Sequence, residues 1–284
     1  MTRQLAQLNI ATLRHPLDDP RIADFNNALP MVNGAGEQSA GFVWRLQSDS
    51  GDATDIRIFD DPLVIVNLTV WQSLDALKAF AYRGIHRDFF RRRSEWFVEG
   101  STRTALWWLP AGELPTTDDA KRRLDFIDAF GASPYAFEMG QNRPALVIER
   151  ASVNDARAQQ LIRGLDGDVD LDEDTWAEGC FVVAEIDDLP VACGGYRTAD
   201  DTTAEIKRMY VARSARGMKV GAAIISELEA IARGNGAQRM LLETWYRQLP
   251  ALEKFGFRRC PCGDESEQLS ASAMSVCVEK ALTA

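Results

Sequence analysis

The residues best suited to chemistry lie in one segment, Ile206–Ile225, whose sequence is IKRMYVARSARGMKVGAAII. An apolar, strand-like run leads into a turn, and the turn opens a helix that begins with small residues. The first N–H groups of a helix have no partner inside it and attract anions. Gly217, Gly221 and Ala222 would let a phosphate approach the main chain, and Arg216 adds a positive charge. The segment predicts an anion site, although a glycine turn that only allows tight packing would give the same pattern.

Other binding motifs are absent or incomplete in the sequence. It contains neither the Gly-x-Gly-x-x-Gly of dinucleotide-binding folds nor a P-loop. The acidic run 166–174 suggests calcium, but an EF-hand loop counted from Asp166 would need Gly and Glu where Leu171 and Ala177 stand. We expect this run to be a solvated loop.

The elements around the anion segment predict a domain over residues 145–284. Apolar alternation indicates strands, and spacing of three to four residues indicates helices. The result is a mixed, mostly antiparallel sheet with one strand–turn–helix in its middle. The predicted strands are 145–151, 180–186, 190–197, 203–211, 239–244, 257–260 and 273–279, with helices at 155–164, 220–233 and 249–255.

Residues 1–139 form a second predicted domain, which ends in a Gly- and Pro-containing linker. The order β-α-β-β-β-α-β-α favours a ferredoxin-like α+β sandwich, with helices packed on one face of an antiparallel sheet. The predicted strands are 5–13, 41–47, 55–59, 63–71 and 104–110; helices follow Asp18 or Asp19, run from Ser73 towards Trp96, and run from Thr116 or Thr117 to Gly131.

Charge and cysteine content exclude several classes of function. The 284 residues carry a net charge of −10, which argues against nonspecific nucleic-acid binding. The five cysteines are an odd number, no secretory signal is recognised, and Cys260-Pro-Cys262 lacks the spacing of zinc ligands. We therefore expect a soluble cytoplasmic protein with free thiols, no bound metal and no membrane-spanning segment.

The second domain resembles the GCN5-related N-acetyltransferase (GNAT) superfamily over about residues 145–284. Four landmarks carry the resemblance, in the family's order: the strand AEIKRMYV, the loop Arg-Gly-x-x-x-Gly-Ala, the strand LLET, and LEKFGF near the end. The resemblance implies acetyl-CoA as cofactor and places the acidic run 166–174 beside the acceptor site, where it could attract a cationic amine. We expect the acceptor to be a small-molecule amine rather than a protein tail. It also implies a catalytic base at Glu205, because an ammonium has no lone pair with which to attack a thioester.

The resemblance assigns the cofactor contacts residue by residue. The main chain of Met209 and Val211, on either side of Tyr210, would bind the pantetheine arm, and one of their N–H groups would polarise the thioester carbonyl. The pyrophosphate would be bound by the main-chain N–H groups of Arg216, Gly217, Met218, Lys219, Val220, Gly221 and Ala222.

The sequence departs from the family's pattern at two positions. Lys219 stands where the family's loop usually has its middle glycine, so its side chain either crowds the phosphate or adds a cation to it. Leu252 stands where many members have a tyrosine that protonates the leaving thiolate. Tyr246 is nearby and could replace that acid, or no acid is needed. A domain that binds CoA without catalysis is the alternative.

The first domain resembles an uncharacterised bacterial domain family related to dimeric α/β-barrel, antibiotic-biosynthesis-monooxygenase-like folds. The segments that carry this resemblance are LAQLNIATL, GFVWRLQ, VNLTVWQSLDALKAFAYRGIHRDFFRRRSEWF and LWWLPAG. It implies a ferredoxin-like fold and a homodimer formed sheet to sheet. Helical spacing places His86 beside Phe89 or Phe90, where it would line a cavity and contact haem or a small molecule, or be a structural histidine. A small-molecule-binding barrel with an accessory transferase-like domain is a further alternative.

Overall fold

The computed structural model describes residues 2–82, 84–163, 179–260 and 275–282, and only the backbone of Ile85 and Ser275. The chain divides into two compact units, Met1–Ala145 and Leu146–Ala284. Each unit combines helices with a sheet, so the predicted α+β class is confirmed. The acidic run 166–174 lies outside the described residues, and its predicted role stays a prediction.

The first unit contains a four-stranded antiparallel sheet in the order β2-β3-β1-β4. Leu5 on β1 lies opposite Trp71 on β3 and Trp108 on β4, which fixes the register of the three longer strands. The elements are β1 Arg3–Thr12, α1 Ala23–Glu37, β2 Phe42–Arg45, β3 Val64–Trp71, α2 Leu74–Ala81, α3 Gly84–Trp96, β4 Arg103–Pro110 and α4 Thr117–Phe130.

Two predicted elements of this unit are wrong. Residues 55–59 form no strand, because Ile58 and Phe59 pack against the sheet's core from a loop. Apolar and polar residues alternate over 55–59 as they do in a half-buried strand, and for this reason the sequence pattern predicted a strand. The helix predicted from Ser73 to Trp96 is two helices, since the chain passes through Gly84 at φ 54°. A residue at positive φ does not continue an α-helix.

Helices cover both faces of this sheet. One face is fully buried against α4 and the loop before β3, with Leu8, Leu68 and Val70 at 0% exposure. The opposite face packs on α2 and α3 through Trp71 and Ile65. The prediction of helices on one face only is therefore wrong, because α4 returns to the second face. Dimerisation through this unit, sheet to sheet or through another surface, stays a prediction.

The second unit contains a seven-stranded sheet in the order β10-β11-β9-β8-β7-β6-β5. Every described neighbouring pair is antiparallel except β8 and β9, which run parallel. Helix α5 packs on one face through Phe181 and Cys193, and α6 packs on the other, where Ile224 approaches Gly194. The elements are β5 Leu146–Ala151, α5 Ala156–Ile162, β6 Cys180–Ile186, β7 Leu189–Asp200, β8 Thr203–Val211, α6 Val220–Gly234, β9 Arg239–Trp245, α7 Leu249–Glu253, β10 Arg258–Arg259 and β11 Ser275–Ala281.

Candidate functional site

The two parallel strands β8 and β9 separate in the middle of the sheet. They pair only along Thr203–Ile206 and Arg239–Leu242, and beyond these residues neither strand pairs with the other. The amide of Ala212 donates to Val191 on β7 (2.8 Å). Main-chain groups alternate in direction along an antiparallel pair, so those of Val211, next to Ala212, face the β9 side. The gap thus has an open strand edge.

A β-bulge in β8 shapes this edge. Between the pairs Gly195–Lys207 and Cys193–Tyr210, β8 has one residue more than β7, and Arg208 takes φ 58°. A Cβ on Gly194 would overlap Met209 Sδ, so a larger residue there would require the Met209 side chain to move. Bulges increase the local twist and bend the strand. This bulge lies where β8 leaves β9.

The loop after β8 presents free main-chain donors at the N-terminus of α6. The amides of Arg216 and Met218 already donate to loop carbonyls, so the predicted set of donors is too broad. For the amides of Gly217 and Val220–Ala222, the described residues provide no acceptor, and α6 has no side-chain cap. Unpaired N–H groups and the helix dipole favour an anion at this position. The predicted anion site therefore has a physical basis in these residues.

Lys219 is the N-cap of α6 and adopts the left-handed conformation, with φ 65° and ψ 18°. A residue with a Cβ pays roughly 1–2 kcal/mol for this conformation, which glycine adopts freely. This explains why a glycine is favoured here and identifies the lysine as a strained substitution. The lysine backbone nevertheless follows the turn into the helix, which begins at Val220.

Glu205 lies on β8 just before the gap and is held by two cations. Its carboxylate accepts from Arg197 Nε at 2.8 Å and pairs with Lys207 Nζ at 2.6 Å. Burial would raise the pKa of Glu205, but the hydrogen bonds from Lys207 and Arg197 outweigh it and lower the pKa below its ordinary value. The carboxylate is therefore ionised at neutral pH and is a weak base. Neither cation was predicted from the sequence, although Lys207, two residues along the strand, shares the face of Glu205.

Tyr246 follows the end of β9 and is 55% exposed. Its hydroxyl accepts from Arg259 Nη2 at 2.6 Å, and the same guanidinium lies over its ring. Glu205 is paired with Leu241, five positions before Tyr246, or about 16 Å along a strand. The two predicted catalytic residues are therefore widely separated along the direction of the strands. The adjacent Trp245, at the end of β9, is 47% exposed and was not singled out from the sequence.

Leu252 is a core residue with 4% exposure, so the position aligned with the family's tyrosine contributes packing. Cys180, Cys193 and Cys260 are thiols outside any disulfide, but Cys277 is disulfide-bonded, which contradicts the expectation of free thiols throughout. Within the described residues, no group of His, Cys, Asp and Glu could hold a metal ion. No described helix combines the length and apolar character needed to cross a bilayer.

His86 lines a cavity in the first unit, as the helical spacing predicted. Its Nδ1 lies 2.9 Å from the carbonyl oxygen of Ala81, and its ring packs against Phe80. Burial lowers the pKa of His86 despite the opposing bond to Ala81, so the imidazole is neutral at pH 7. This cavity belongs to the first unit and is a feature separate from the gap between β8 and β9.

Comparison with known families assigns both units. Residues 4–152, more than half of the chain, match the model of a domain of unknown function, DUF3291, and residues 152–257 match the Acetyltransferase (GNAT) family. The chain belongs to the DUF3291 family, and its second unit is a GNAT-family domain. No curated protein matches the chain.

Several solved structures resemble the second unit. One, described as an acyl-CoA N-acyltransferase from Klebsiella pneumoniae, is 25% identical, with 49% of this chain and 98% of that chain covered and a TM-score of 0.40. A GNAT acetyltransferase from Elizabethkingia anophelis with acetyl-CoA bound is 15% identical, with coverages of 48% and 97% and a TM-score of 0.41. An aminoglycoside 6'-N-acetyltransferase complexed with coenzyme A is 16% identical, with coverages of 49% and 98% and a TM-score of 0.41.

Proposed function

We propose that the second unit is an acetyl-CoA-dependent N-acetyltransferase that acts on a small amine. The observation that carries this proposal is the gap between β8 and β9, which ends at a loop with unpaired amides. An open strand edge can hydrogen-bond an extended arm that contains amide groups. A helix N-terminus can bind a diphosphate through its unpaired N–H groups. The GNAT family match supports acetyl-CoA as the cofactor that combines these two groups.

The chain's own residues fit this cofactor. Main-chain groups of Met209 and Val211 would bind the pantetheine arm as an added strand, beside Tyr210. The amides of Gly217 and Val220–Ala222 would hold the diphosphate, with the Arg216 guanidinium adding charge. Arg216 also donates through Nε to Val211 O at 3.1 Å, which fixes its side chain beside the strand. Bound acetyl-CoA supplies the thioester carbonyl that the amine attacks.

Glu205 is the proposed proton acceptor. Its lowered pKa makes it a weak base, so we propose that it orients the incoming ammonium and accepts its proton through water. An N–H group of Met209 or Val211 would stabilise the negative charge that develops on the carbonyl oxygen. Tyr246 would protonate the leaving thiolate only if its hydroxyl moved away from Arg259, which now donates to it.

Thiol release tests this proposal. The full chain, given acetyl-CoA and a panel of small amines, should release free CoA with at least one amine. We expect Glu205→Gln to lower kcat and to leave the Kd for acetyl-CoA unchanged, because Glu205 precedes the gap. Glu253→Gln, an exposed position on α7, is the matched control and should retain full activity. Binding of acetyl-CoA without turnover of any amine would contradict catalysis and favour a CoA-sensing domain.

For the first unit we propose a ferredoxin-like classification. The strand order β2-β3-β1-β4 supports it, because β3 is inserted between two strands joined by α1, as in a split β-α-β unit. The additional helix α4 on the second face distinguishes the unit from the simplest two-layer form. A cytoplasmic location remains part of the proposal, and a subcellular fractionation experiment would test it.

A further inference from the structure

The face of the second sheet that carries Glu205 is exposed along the end of β9. Side chains of β9 alternate between buried and exposed, and Glu243 and Trp245 are exposed. Glu205 is paired with Leu241, and side chains two residues apart on a strand share a face, so Glu243 and Trp245 lie on the face of Glu205. Beyond Leu242, β9 no longer pairs with β8. Both residues therefore belong to the part of β9 that borders the gap.

Glu243 is a carboxylate on this face that is available to a ligand. Among the described residues, none forms a hydrogen bond or an ion pair with it. The other carboxylates nearby are engaged: Glu205 has two cationic partners, and Glu279 on β11 pairs with Arg239 at 3.5 Å. A cation can therefore bind Glu243 without first breaking an ion pair within the described part of the chain.

The charges around Glu205 provide no net attraction for a cation. Arg197 and Lys207 contribute two positive charges and Glu205 one negative charge, so the cluster carries one net positive charge. Positive charge near an amine favours its neutral form, which is the nucleophile, but does not attract an ammonium from solution. Glu243 can supply that attraction from a position two residues beyond the level of Glu205, about 7 Å along the strands.

Trp245 adds an aromatic ring next to Glu243 on the same face. It is 47% exposed, and no described residue hydrogen-bonds its indole, stacks on its ring or places a cation over it. The neighbouring Tyr246 differs, because the Arg259 guanidinium already lies over its ring. A carboxylate and an indole two residues apart on one face can bind an organic cation together, since the carboxylate supplies charge and the ring supplies apolar surface and a cation–π contact.

We infer that the acceptor carries a second positive charge, which Glu243 and Trp245 bind while the reacting nitrogen lies beside Glu205. The inference rests on the proposed function and names the acceptor class as a short aliphatic diamine. The neutral nitrogen forms a bond to the acetyl carbon, the C–S bond breaks, the proton of the nitrogen passes through water to Glu205, and CoA leaves as the thiolate. The second ammonium keeps its proton throughout, so the product is a monoacetylated diamine.

1,4-Diaminobutane and butylamine are matched probes, because they share a four-carbon chain and differ in the second amino group. With the full chain and acetyl-CoA, we expect kcat/KM to be about 5- to 25-fold higher for the diamine, the combined value of an exposed ion pair and a cation–π contact. Glu243→Gln and Trp245→Leu should each lower this ratio about 2- to 5-fold. Glu253→Gln removes the same charge from an exposed position on α7 and should keep the wild-type ratio. Equal kcat/KM values for the two amines, or an unchanged ratio in Glu243→Gln, would overturn the inference and leave the transferase proposal intact.

A binding measurement separates this inference from the proposed function. If neither amine releases CoA, the proposed function fails, and equilibrium dialysis of the full chain with 1,4-diaminobutane in the presence of CoA decides the inference. Weaker retention of the diamine by Glu243→Gln than by the wild type supports it, and equal retention overturns it. Both positions are exposed, so the variants are expected to fold. Added salt should weaken retention by the wild type, because exposed ion pairs are screened.

Discussion

Gly221→Glu should remove most of the affinity for acetyl-CoA while the protein stays folded. Gly221 is the second residue of α6, and its amide has no acceptor among the described residues. A Cβ added there would meet Val211 Cγ2 at 3.4 Å, a tight contact that a small shift relieves. A carboxylate near a helix N-terminus stabilises the helix by about 0.3–1 kcal/mol. The substitution should therefore lower the affinity for acetyl-CoA without lowering the free energy of unfolding.

The size of the binding defect follows from electrostatics. At about 5 Å and an effective dielectric constant of about 20–80, a carboxylate and one phosphate charge repel each other by about 0.8–3 kcal/mol. A diphosphate presents about two such charges, but Arg216 and Gly217 are exposed, so the dielectric constant is nearer that of water. The expected loss is about 2–3 kcal/mol, or about 30- to 150-fold in Kd.

Calorimetric titration with CoA, together with urea unfolding, measures both quantities. Gly221→Gln is the control, because glutamine has the shape of glutamate without its charge. We expect the glutamine variant to lose only the part of the affinity that crowding removes, and both variants to unfold at or above the wild-type urea concentration. Equal affinities of the glutamate and glutamine variants would refute the argument, since a charge at that point would then not face the phosphates.

Three further predictions test the backbone and charges of the second unit, with Gly34→Ala on α1 as a control substitution. Lys219→Gly should raise the free energy of unfolding by about 0.5–1 kcal/mol by relieving the left-handed backbone; a loss in urea unfolding would contradict the strain. Gly194→Ala should lower it by about 1–3 kcal/mol through the clash with Met209, whereas Gly34→Ala, with nothing within 4 Å, should be neutral or stabilising. Burial raises the pKa of Glu229, so the folded state binds the proton more tightly and stability falls as pH rises from about 4.5 through the folded pKa. Glu229→Gln should remove this decline in urea unfolding, and an unchanged pH dependence would show that the group does not titrate as stated.

Local signals predicted most of the elements, because these elements depend on nearby residues. Helix caps are examples: Asp19, Ser73, Thr116 and Asp155 all accept main-chain hydrogen bonds at predicted helix starts. Gly131, at φ 72°, ends α4 at the predicted place. The break before Gly84 could not be predicted in this way, since Tyr82 and His86 continue the helical spacing across it.

The site was only partly accessible to sequence reasoning. The loop and the start of α6 could be predicted because glycines and small residues mark them. The ion pairs of Glu205 depend on Arg197 from the neighbouring strand, and that pairing requires the register of β7 and β8. The side-chain oxygen of Asn9, buried without a hydrogen-bond partner among the described residues, was missed for the same reason, because only the folded sheet shows which polar groups find partners.

The most direct test of the account is a crystal structure of the full chain with bound CoA. The account predicts the diphosphate within hydrogen-bonding distance of the amides of Gly217 and Val220–Ala222, and the pantetheine arm along Met209–Val211. Diphosphate density elsewhere, or a Lys219 side chain lying across those amides with CoA present in the solution, would contradict the central claim.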